Sequence, residues 1–435
     1  MGYALFIVLN AVLFIRPEEM WPELAESRLY LIVMVLCILV NLPRLAVVLS
    51  PGALAANPVG VCVLGLLLAV PLSNLMRGNT DLAVDNAGEF GKVVLYYFLM
   101  TAVLDTPGRF RGFLGWCVVL ISVLTAVALL QFHEYIDIEQ MRPIAQGITD
   151  EETGDVTYTY RIRSTGIFND PNDLCLVLVF GGLCCAYRAV TCGSVPVGVL
   201  WVLPVAAFGY TLTLTQSRGG LLGLLAGLVG ILFTRLSRAR AVMLALVCLP
   251  AVVLGAGGRQ ADISLSRGDT GNQRVMLWAE GLTEMQNRLT YLLTGIGAEE
   301  YENEFGYVAH NSYIHAYVEL GLFGGTAFLA TFVWAGVMLR RVSRGDSNPG
   351  PVLLRAWPFV VAMLCAYAVG IFSLSRNYVI PTYMMLGLVT CYLNMTRPMP
   401  TPNCFTRVWL QRTAGIGLTG FVILRLFTMI AGRLG

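Results

Sequence analysis

Apolar runs of about 17 to 25 residues, separated by short polar turns, recur from one end of this chain to the other. No water-soluble core buries so many runs of that length, and inside lipid a helix is what satisfies its own backbone hydrogen bonds. The expected fold class is therefore all-α. Residues 1–435 read as a single integral membrane domain, a polytopic protein of about twelve transmembrane helices. Composition agrees: 56% of the residues are hydrophobic and 13% charged, about half the charged share of an average soluble domain.

Spans are expected near 1–15, 29–48, 58–73, 90–105, 110–131, 173–191, 195–214, 219–235, 240–257, 312–340, 352–372 and 378–396. The first run, Gly2 to Ile15, lacks the basic start and small-residue exit of a cleavable leader, and reads as a first spanning helix. The stretch 413–431 is a further apolar candidate. It carries Arg425, which would fall mid-membrane between Arg412 and Arg433, so 397–435 is read as a cytoplasmic or interfacial segment.

Loop charge sets the orientation. Arg44, Arg109, Arg111, Arg188, Arg235, Arg340 and Arg397 fall in one set of loops, where Asp105 and Asp346 are the only acids. The positive-inside rule makes that set cytoplasmic, with both termini inside. The alternate loops are acidic, as at Glu18, Glu19, Glu23 and Glu26, or Asp150, Glu151, Glu152 and Asp155, and face outward. Two outer loops are long, 132–172 and 257–311, and long loops carry function more often than short ones. In the first, "VTYTYRIRS" (156–164) alternates like a short strand. In the second, "NQRVMLWAEGLTEMQNR" (272–288) has the spacing of an amphipathic helix on the membrane face.

The eleven cysteines give no framework. Most lie in apolar runs, neither long loop holds one, and no C-x-x-C occurs, so they read as buried free thiols. Lys92 is the only lysine among 29 basic residues, a bias that base composition alone can produce.

Position gives some of the arginines meaning. In "TQSRGGLLGLL" (215–225), Ser217 is a good N-cap, and Arg218 opens an apolar helix at its outer end. The free amides and dipole of that first turn favour an anion. Gly219 and Gly220 would let a ligand or a second helix approach, whereas simple snorkelling to the headgroups is the plain alternative for Arg218. Arg163 precedes "STGIFNDPND", in which Asp170 caps and Pro171 starts another helix at the same face. Arg274 opens the amphipathic segment, and Arg376 lies in a very short outer loop, "FSLSRNY". Guanidinium groups gathered in otherwise acidic loops match the geometry of a diphosphate; pairing with Asp170 or Glu284 is the alternative. His310, followed by Asn311 and Ser312, stands at the outer start of a span, where a histidine can accept a proton near neutral pH. His315 and Glu319, four residues apart, read as a structural polar pair. His133 reads as an ordinary loop residue. "NDPND" (169–173) has oxygen ligands enough for calcium, but capping explains it better; the acidic pairs in "DIE" (137–139) and at Glu18–Glu19 are weak candidates for a metal.

These residues resemble the O-antigen ligase and O-antigen polymerase superfamily of membrane glycosyltransferases. The similar pieces are "TQSRGGLLGLL", the spacing of Arg274 and Trp278 in "RVMLW", "TGIGAEEY", "RSTGIFNDPNDLC" and, most specific, "HNSYIHAYVELGLFGG". The likeness covers roughly residues 160 to 335. It implies a GT-C-like fold of about twelve helices with a large periplasmic loop, in the bacterial inner membrane. It also implies transfer of a glycan from a polyprenyl-diphosphate carrier to an acceptor hydroxyl, a glycolipid such as lipid A-core or another glycan, without metal or other cofactor. On that likeness Arg163, Arg218 and Arg274 would hold the diphosphate and His310 would activate the acceptor; Arg376, Asn311 and Trp278 are further candidates for contact with substrate. Membrane lipids are expected partners and nucleic acid is not. The readings to be distinguished are a ligase, a repeat-unit polymerase and, from another class, a small-anion transporter.

Overall fold

The structure, a computed structural model, describes residues 1–20, 22–24, 27–149, 156–244, 246, 270–345, 349–398 and 401–434. The expected span near 240–257 lies beyond residue 246 outside the described residues, as do Glu26, the acidic stretch 150–155, Cys248, the start of the second long loop (257–269) and Asp346. Among the described residues the chain is almost entirely helical. The principal helices are α1 (Gly2–Ile15), α2 (Leu29–Val48), α3 (Pro58–Leu75), α4 (Thr80–Val103), α5 (Pro107–Phe132), α6 (Pro171–Thr191), α7 (Val195–Thr215), α8 (Arg218–Arg235), α9 (Thr270–Asn287), α10 (Ser312–Ser343), α11 (Pro351–Gly370), α12 (Ile380–Thr396) and α13 (Arg407–Leu434).

Nine helices among the described residues are long and apolar enough to cross a membrane, against an expectation of about twelve. Eight of the nine are among the twelve expected; the ninth, Arg407–Ala431, is not, and of the four expected spans left over the one near 240–257 lies outside the described residues. Helix α1 has 14 residues and α12 has 17. Helix α4 begins at Thr80, ten residues before the expected span, because Asn79 caps it, accepting from Leu82 N. That added part carries Asp81, Asp85 and Glu89. Among the described residues the sheet is one antiparallel pair of strands, β1 (Ile144–Thr149) with β2 (Val156–Arg161), in which Ile144 pairs with Arg161. Strand β2 is the one its alternation announced. Strand β1, "IAQGIT", has no such pattern and was not expected.

The chain divides into two compact units. The first comprises Met1–Leu42, Thr106–Asp262 and Pro351–Gly370. Its tightest pair is α8 against α11, and the sequence reason is a glycine face. A Cβ on Gly223 would stand 3.0 Å from the carbonyl oxygen of Ala366, and one on Gly230 would stand 3.1 Å from Cα of Ala362. Small residues at these positions let two membrane helices meet backbone to backbone. Gly220 does the same toward α6, where a Cβ would fall 1.9 Å from Sγ of Cys175. Of the two uses foreseen for that glycine, the structure shows the packing of a second helix.

The second unit comprises Pro43–Asp105, Ile263–Gly350 and Ile371–Gly435. Its longest helix, α10, is broken at Gly321, which has φ 66° and ψ −168°. The break removes the usual helical partners of the carbonyls just before it. Ile296 N donates to Val318 O at 2.9 Å and Gly297 N to Glu319 O at 3.1 Å, so the segment "TGIG" (294–297) replaces them. The approach tolerates no side chain. A Cβ on Gly321 would lie 2.4 Å from the Leu293 carbonyl carbon, and one on Gly295 would lie 2.1 Å from Glu319 O. Helix α13 lies along α10: Trp334 Nε1 donates to Thr413 Oγ1 at 3.0 Å and Tyr317 OH to Gly417 O at 2.7 Å. The stretch 413–431 was expected at the interface because of Arg425. Here Arg425 donates to Thr283 Oγ1 on α9 at 3.1 Å, and Arg407–Ala431 suffices in length and composition to cross.

Ten cysteines lie among the described residues. All are free thiols, and all but Cys192 and Cys365 are buried.

Candidate functional site

In the first unit, the start of α8 is built by a short polar network. Ser217 caps the helix, its Oγ accepting from Gly220 N at 3.0 Å, and the same hydroxyl donates to Asn172 Oδ1 at 2.7 Å. Arg161 donates through one terminal nitrogen to Asn172 Oδ1 at 3.1 Å, and through Nε to the Thr215 carbonyl at 2.8 Å. Ile162 N donates to Leu214 O at 3.1 Å. The end of β2 is thereby tied to the turn that presents Arg218. Sequence reasoning singled out Arg163 and Arg218 and passed over Arg161, whose role depends on contacts across the α7–α8 turn. Arg163 points its Nε at the carbonyl of Arg142, at 2.7 Å, rather than at Asp170. Arg142 in turn grips Asp137 with two hydrogen bonds, 3.1 and 2.8 Å. Asp170 caps α6 as read, accepting from Asn172 N at 2.7 Å. Asp170 Oδ1 is thus taken by capping, and Asn172 Oδ1 by Arg161 and Ser217. Among the described residues no group of three or more His, Cys, Asp or Glu side chains is placed to hold a metal.

The second unit contains Arg274, Trp278, His310, Asn311 and Arg376, and it brings four of these together. Helix α9 is amphipathic as expected. Its Leu282 and Met285 are fully buried in a cluster with Ile296, Tyr301, Ile314 and Tyr317. Trp278 packs on that cluster and donates its indole N–H to the carbonyl of Ala309 at 2.5 Å. Arg274 lies one turn earlier on the same helix. On the other side of His310, Asn311 caps α10, its Oδ1 accepting from Tyr313 N and Ile314 N at 3.1 and 3.2 Å. His310 sits between these two clamps with φ 49°, in the left-handed region, its side chain half-buried. A non-glycine residue there costs of order 1–3 kcal/mol and persists where its surroundings impose it.

The Arg376 loop is stapled beside the start of α10. Ser312 Oγ donates to Leu374 O at 2.6 Å and accepts from Arg376 N at 2.9 Å, and Asn377 Nδ2 donates to Ser312 O at 2.7 Å. Arg376 also donates from its guanidinium to the Ser375 carbonyl at 2.8 Å. His310 and Arg376 are therefore two residues and one hydroxyl apart.

Behind this lies a buried polar knot. Glu319 is 0% exposed. Its Oε1 meets His315 Nε2 at 2.8 Å and accepts from Tyr301 N at 3.0 Å; its Oε2 accepts from Tyr378 OH at 2.7 Å. The other ring nitrogen of His315 meets Ser375 Oγ at 2.8 Å. The polar pair read from the i, i+4 spacing is present, and it also anchors the 296–301 segment and the Arg376 loop. Tyr301, Ser375 and Tyr378 carried no sequence signal of this, being distant in the chain. Burial and the charge of Glu319 push the Tyr378 hydroxyl well above the ordinary tyrosine range, so it stays a donor. From outside, Arg77 holds the same segment: it donates to Ile296 O and pairs with Glu300 at 3.3 Å.

None of the curated proteins compared with this chain matches it. Residues 203–329 match the family model described as O-antigen ligase. That segment includes Arg218, Arg274, Trp278, His310 and Asn311; Arg163 and Arg376 lie outside it. Through residues 203–329 the chain is similar to the O-antigen ligase family.

Proposed function

We propose that the protein is a membrane glycosyltransferase of the bacterial inner membrane. It moves a glycan from a polyprenyl-diphosphate carrier to an acceptor hydroxyl at the periplasmic face. The observation that carries this reading is His310, held in a left-handed conformation between the Trp278–Ala309 hydrogen bond and the Asn311 cap, beside Arg376 and inside the family segment. A backbone fixed on both sides of a histidine suits a residue whose ring must meet one proton in one place.

In this mechanism Arg274, in the unit that holds His310, binds the diphosphate and stabilises the charge that grows on it as the glycosidic bond breaks. That is a task a divalent cation performs in many enzymes. His310 takes the proton of the acceptor hydroxyl as its oxygen attacks the anomeric carbon. The glycosyl C–O bond to the diphosphate breaks, the lipid diphosphate departs, and a single displacement inverts the anomeric configuration. Trp278, Asn311 and Arg376 set the geometry around His310.

Acceptor choice separates a ligase, transferring once to lipid A-core or a similar glycolipid, from a polymerase that extends a lipid-linked repeat. We favour the ligase. The transporter reading draws on the broken helix α10, since transporters bind ions at unwound backbone. Here the released carbonyls of Val318 and Glu319 are taken by the amides of Ile296 and Gly297. The test is transfer by purified protein in lipid vesicles from a synthetic undecaprenyl-diphosphate glycan to a panel of acceptors. A single addition to lipid A-core supports the ligase, and a ladder on the carrier would make it a polymerase. Anion uptake with no transfer to any acceptor would overturn the enzyme reading.

A further inference from the structure

At the end of the first unit remote from Arg218, four helix ends bring arginines together. Arg111 opens α5, Arg188 and Arg235 close α6 and α8, and Arg355 opens α11. The guanidinium of Arg188 stacks over Trp201, 5.3 Å from the ring centroid, and lies against Gly115 on α5, where a Cβ would come within 3.8 Å of it. Arg111 donates to the last carbonyl of α6, Thr191 O, at 3.2 Å. Arg235 stacks over Phe359 at 5.3 Å, and that ring packs edge-on against Tyr187 at 5.7 Å. Tyr187 is 0% exposed, and the charges of Arg111, Arg188 and Arg355 all act on its hydroxyl.

Two features of this cluster call for a ligand. None of the four arginines has a carboxylate within salt-bridge distance among the described residues, so the positive charge is locally uncompensated. In addition, Arg111 Nε, Arg188 Nε, Trp201 Nε1 and the Tyr187 hydroxyl are all buried with no hydrogen-bond partner among the described residues. Three of these atoms can only donate, so they cannot satisfy one another. Buried donors left unpaired are rare and costly. What fits them is an anion with several acceptor oxygens, and a phosphate group is the natural match for convergent guanidiniums.

The same tryptophan marks where an apolar groove begins. It has a volume of about 630 Å³ and runs along α5 from Val118 to Leu129, and along α7 from Leu200 to Phe208. Eleven helical steps cover about 16 Å, close to half of the roughly 30 Å hydrocarbon core. The groove therefore has the length of one leaflet, with the unpaired donors at its headgroup end.

We propose that this is a binding site for an anionic phospholipid, its phosphodiester on Arg111, Arg188, Tyr187 and Trp201 and an acyl chain in the α5–α7 groove. Basic pockets between membrane helices take anionic headgroups in this way. The groove favours a lipid over free phosphate, and the charge favours an anionic lipid over a zwitterionic one. The site is independent of the transfer reaction.

The test uses the full-length protein, delipidated in detergent, and follows its thermal unfolding midpoint. Added phosphatidylglycerol should raise the midpoint in a saturable way, whereas phosphatidylcholine or inorganic phosphate at the same concentration should not. Replacing Arg111 and Arg188 by alanine should raise the half-saturating lipid concentration about tenfold or more, for the loss of two charge-assisted contacts. Tyr187→Phe removes one buried hydroxyl and leaves the ring packed. It should fold as well as the parent and still weaken the lipid response. An equal response to phosphatidylcholine would reduce the site to a greasy groove. A phosphate effect as large as the lipid effect would make it a plain anion site. A phosphatidylglycerol response unchanged in Tyr187→Phe and in whichever arginine variants fold would overturn the assignment.

Discussion

The indole N–H of Trp278 meets the carbonyl oxygen of Ala309 at 2.5 Å, and so fixes the peptide that leads into His310. Helix α9 is in this way a brace for the proposed base as well as a cover for the core. Trp278→Phe would keep the ring on its apolar cluster and lose the hydrogen bond. A net contribution of about 1 kcal/mol predicts a fivefold to tenfold fall in kcat, with KM for the lipid-linked donor little changed. His310→Ala should lose transfer by about two orders of magnitude or more. Near-normal transfer by His310→Ala in vesicles with defined donor would remove it as the base.

Arg161 predicts a different outcome. It touches Thr215 and Asn172 on either side of the Ser217 cap, and so acts on Arg218 by positioning its turn. Arg161→Ala should slow transfer about tenfold, by loss of two hydrogen bonds around a helix start. Arg161→Lys should recover little, because one ammonium cannot serve both acceptors in the fork that the guanidinium spans. Full rescue by lysine would mean that charge alone matters there. Steady-state transfer rates for the two variants decide it.

The knot at Glu319 makes a stability prediction. Glu319→Ala would leave the His315 ring, the Tyr378 hydroxyl and the Tyr301 amide buried without their shared partner. Breaking a buried pair in this manner costs about 3 kcal/mol or more. Glu319→Gln keeps an acceptor oxygen and should cost clearly less. Unfolding midpoints of the purified variants should follow that order, and equal midpoints would show the knot to be dispensable.

A pair of glycines on α10 gives a matched contrast. At Gly321, φ is 66° and an added Cβ would meet the Leu293–Gly295 backbone, whereas at Gly336 nothing lies within 4 Å. Gly321→Ala should destabilise the second unit severely, since backbone has no room to give. Gly336→Ala should be neutral or stabilising by up to about 1 kcal/mol. Expression yield and thermal midpoint in detergent are sufficient readouts.

What could be read beforehand is what depends on local pattern. The caps at Asp170 and Ser217 follow from single residues ahead of apolar runs, whereas Asn311, read as a substrate contact, is found capping α10. Strand β2 follows from alternation, and α9 from helical spacing. Features set by distant partners were not legible. The break at Gly321 sits inside unbroken hydropathy, and the amides of Ile296 and Gly297 are what make it tolerable. Strand β1 forms because β2 is there to pair with it. Tyr301, Ser375 and Tyr378 acquire meaning when Glu319 is found among them, and Arg161 when the α7–α8 turn is seen folded against β2.

Arg425 illustrates the same limit and yields the final prediction. Read alone, an arginine midway along 413–431 argues for a helix lying at the interface. Packed, it stands two-thirds of the way along a 28-residue helix that contacts α10 first through Thr413 at Trp334, then through Gly417 at Tyr317, before Arg425 reaches Thr283 on α9. That order of contacts is antiparallel to α10, a helix itself long enough to cross. Gly417 and Gly420 make the close approach possible: a Cβ at either would stand within about 2 Å of the Thr326 or Leu329 side chain, which would have to move. If α13 crosses the membrane, the two ends of Arg407–Leu434 lie on opposite sides, and the carboxyl terminus leaves the side on which Arg397, Arg407 and Arg412 sit. A reporter that is active on one side of the membrane alone, fused after Thr406 or after Gly435, should then give opposite results. Single cysteines introduced at the same two places into a variant lacking native thiols should differ likewise in labelling by an impermeant maleimide. Matching signals at both positions would return the helix to the interface and leave Arg425 to be explained by headgroup contact.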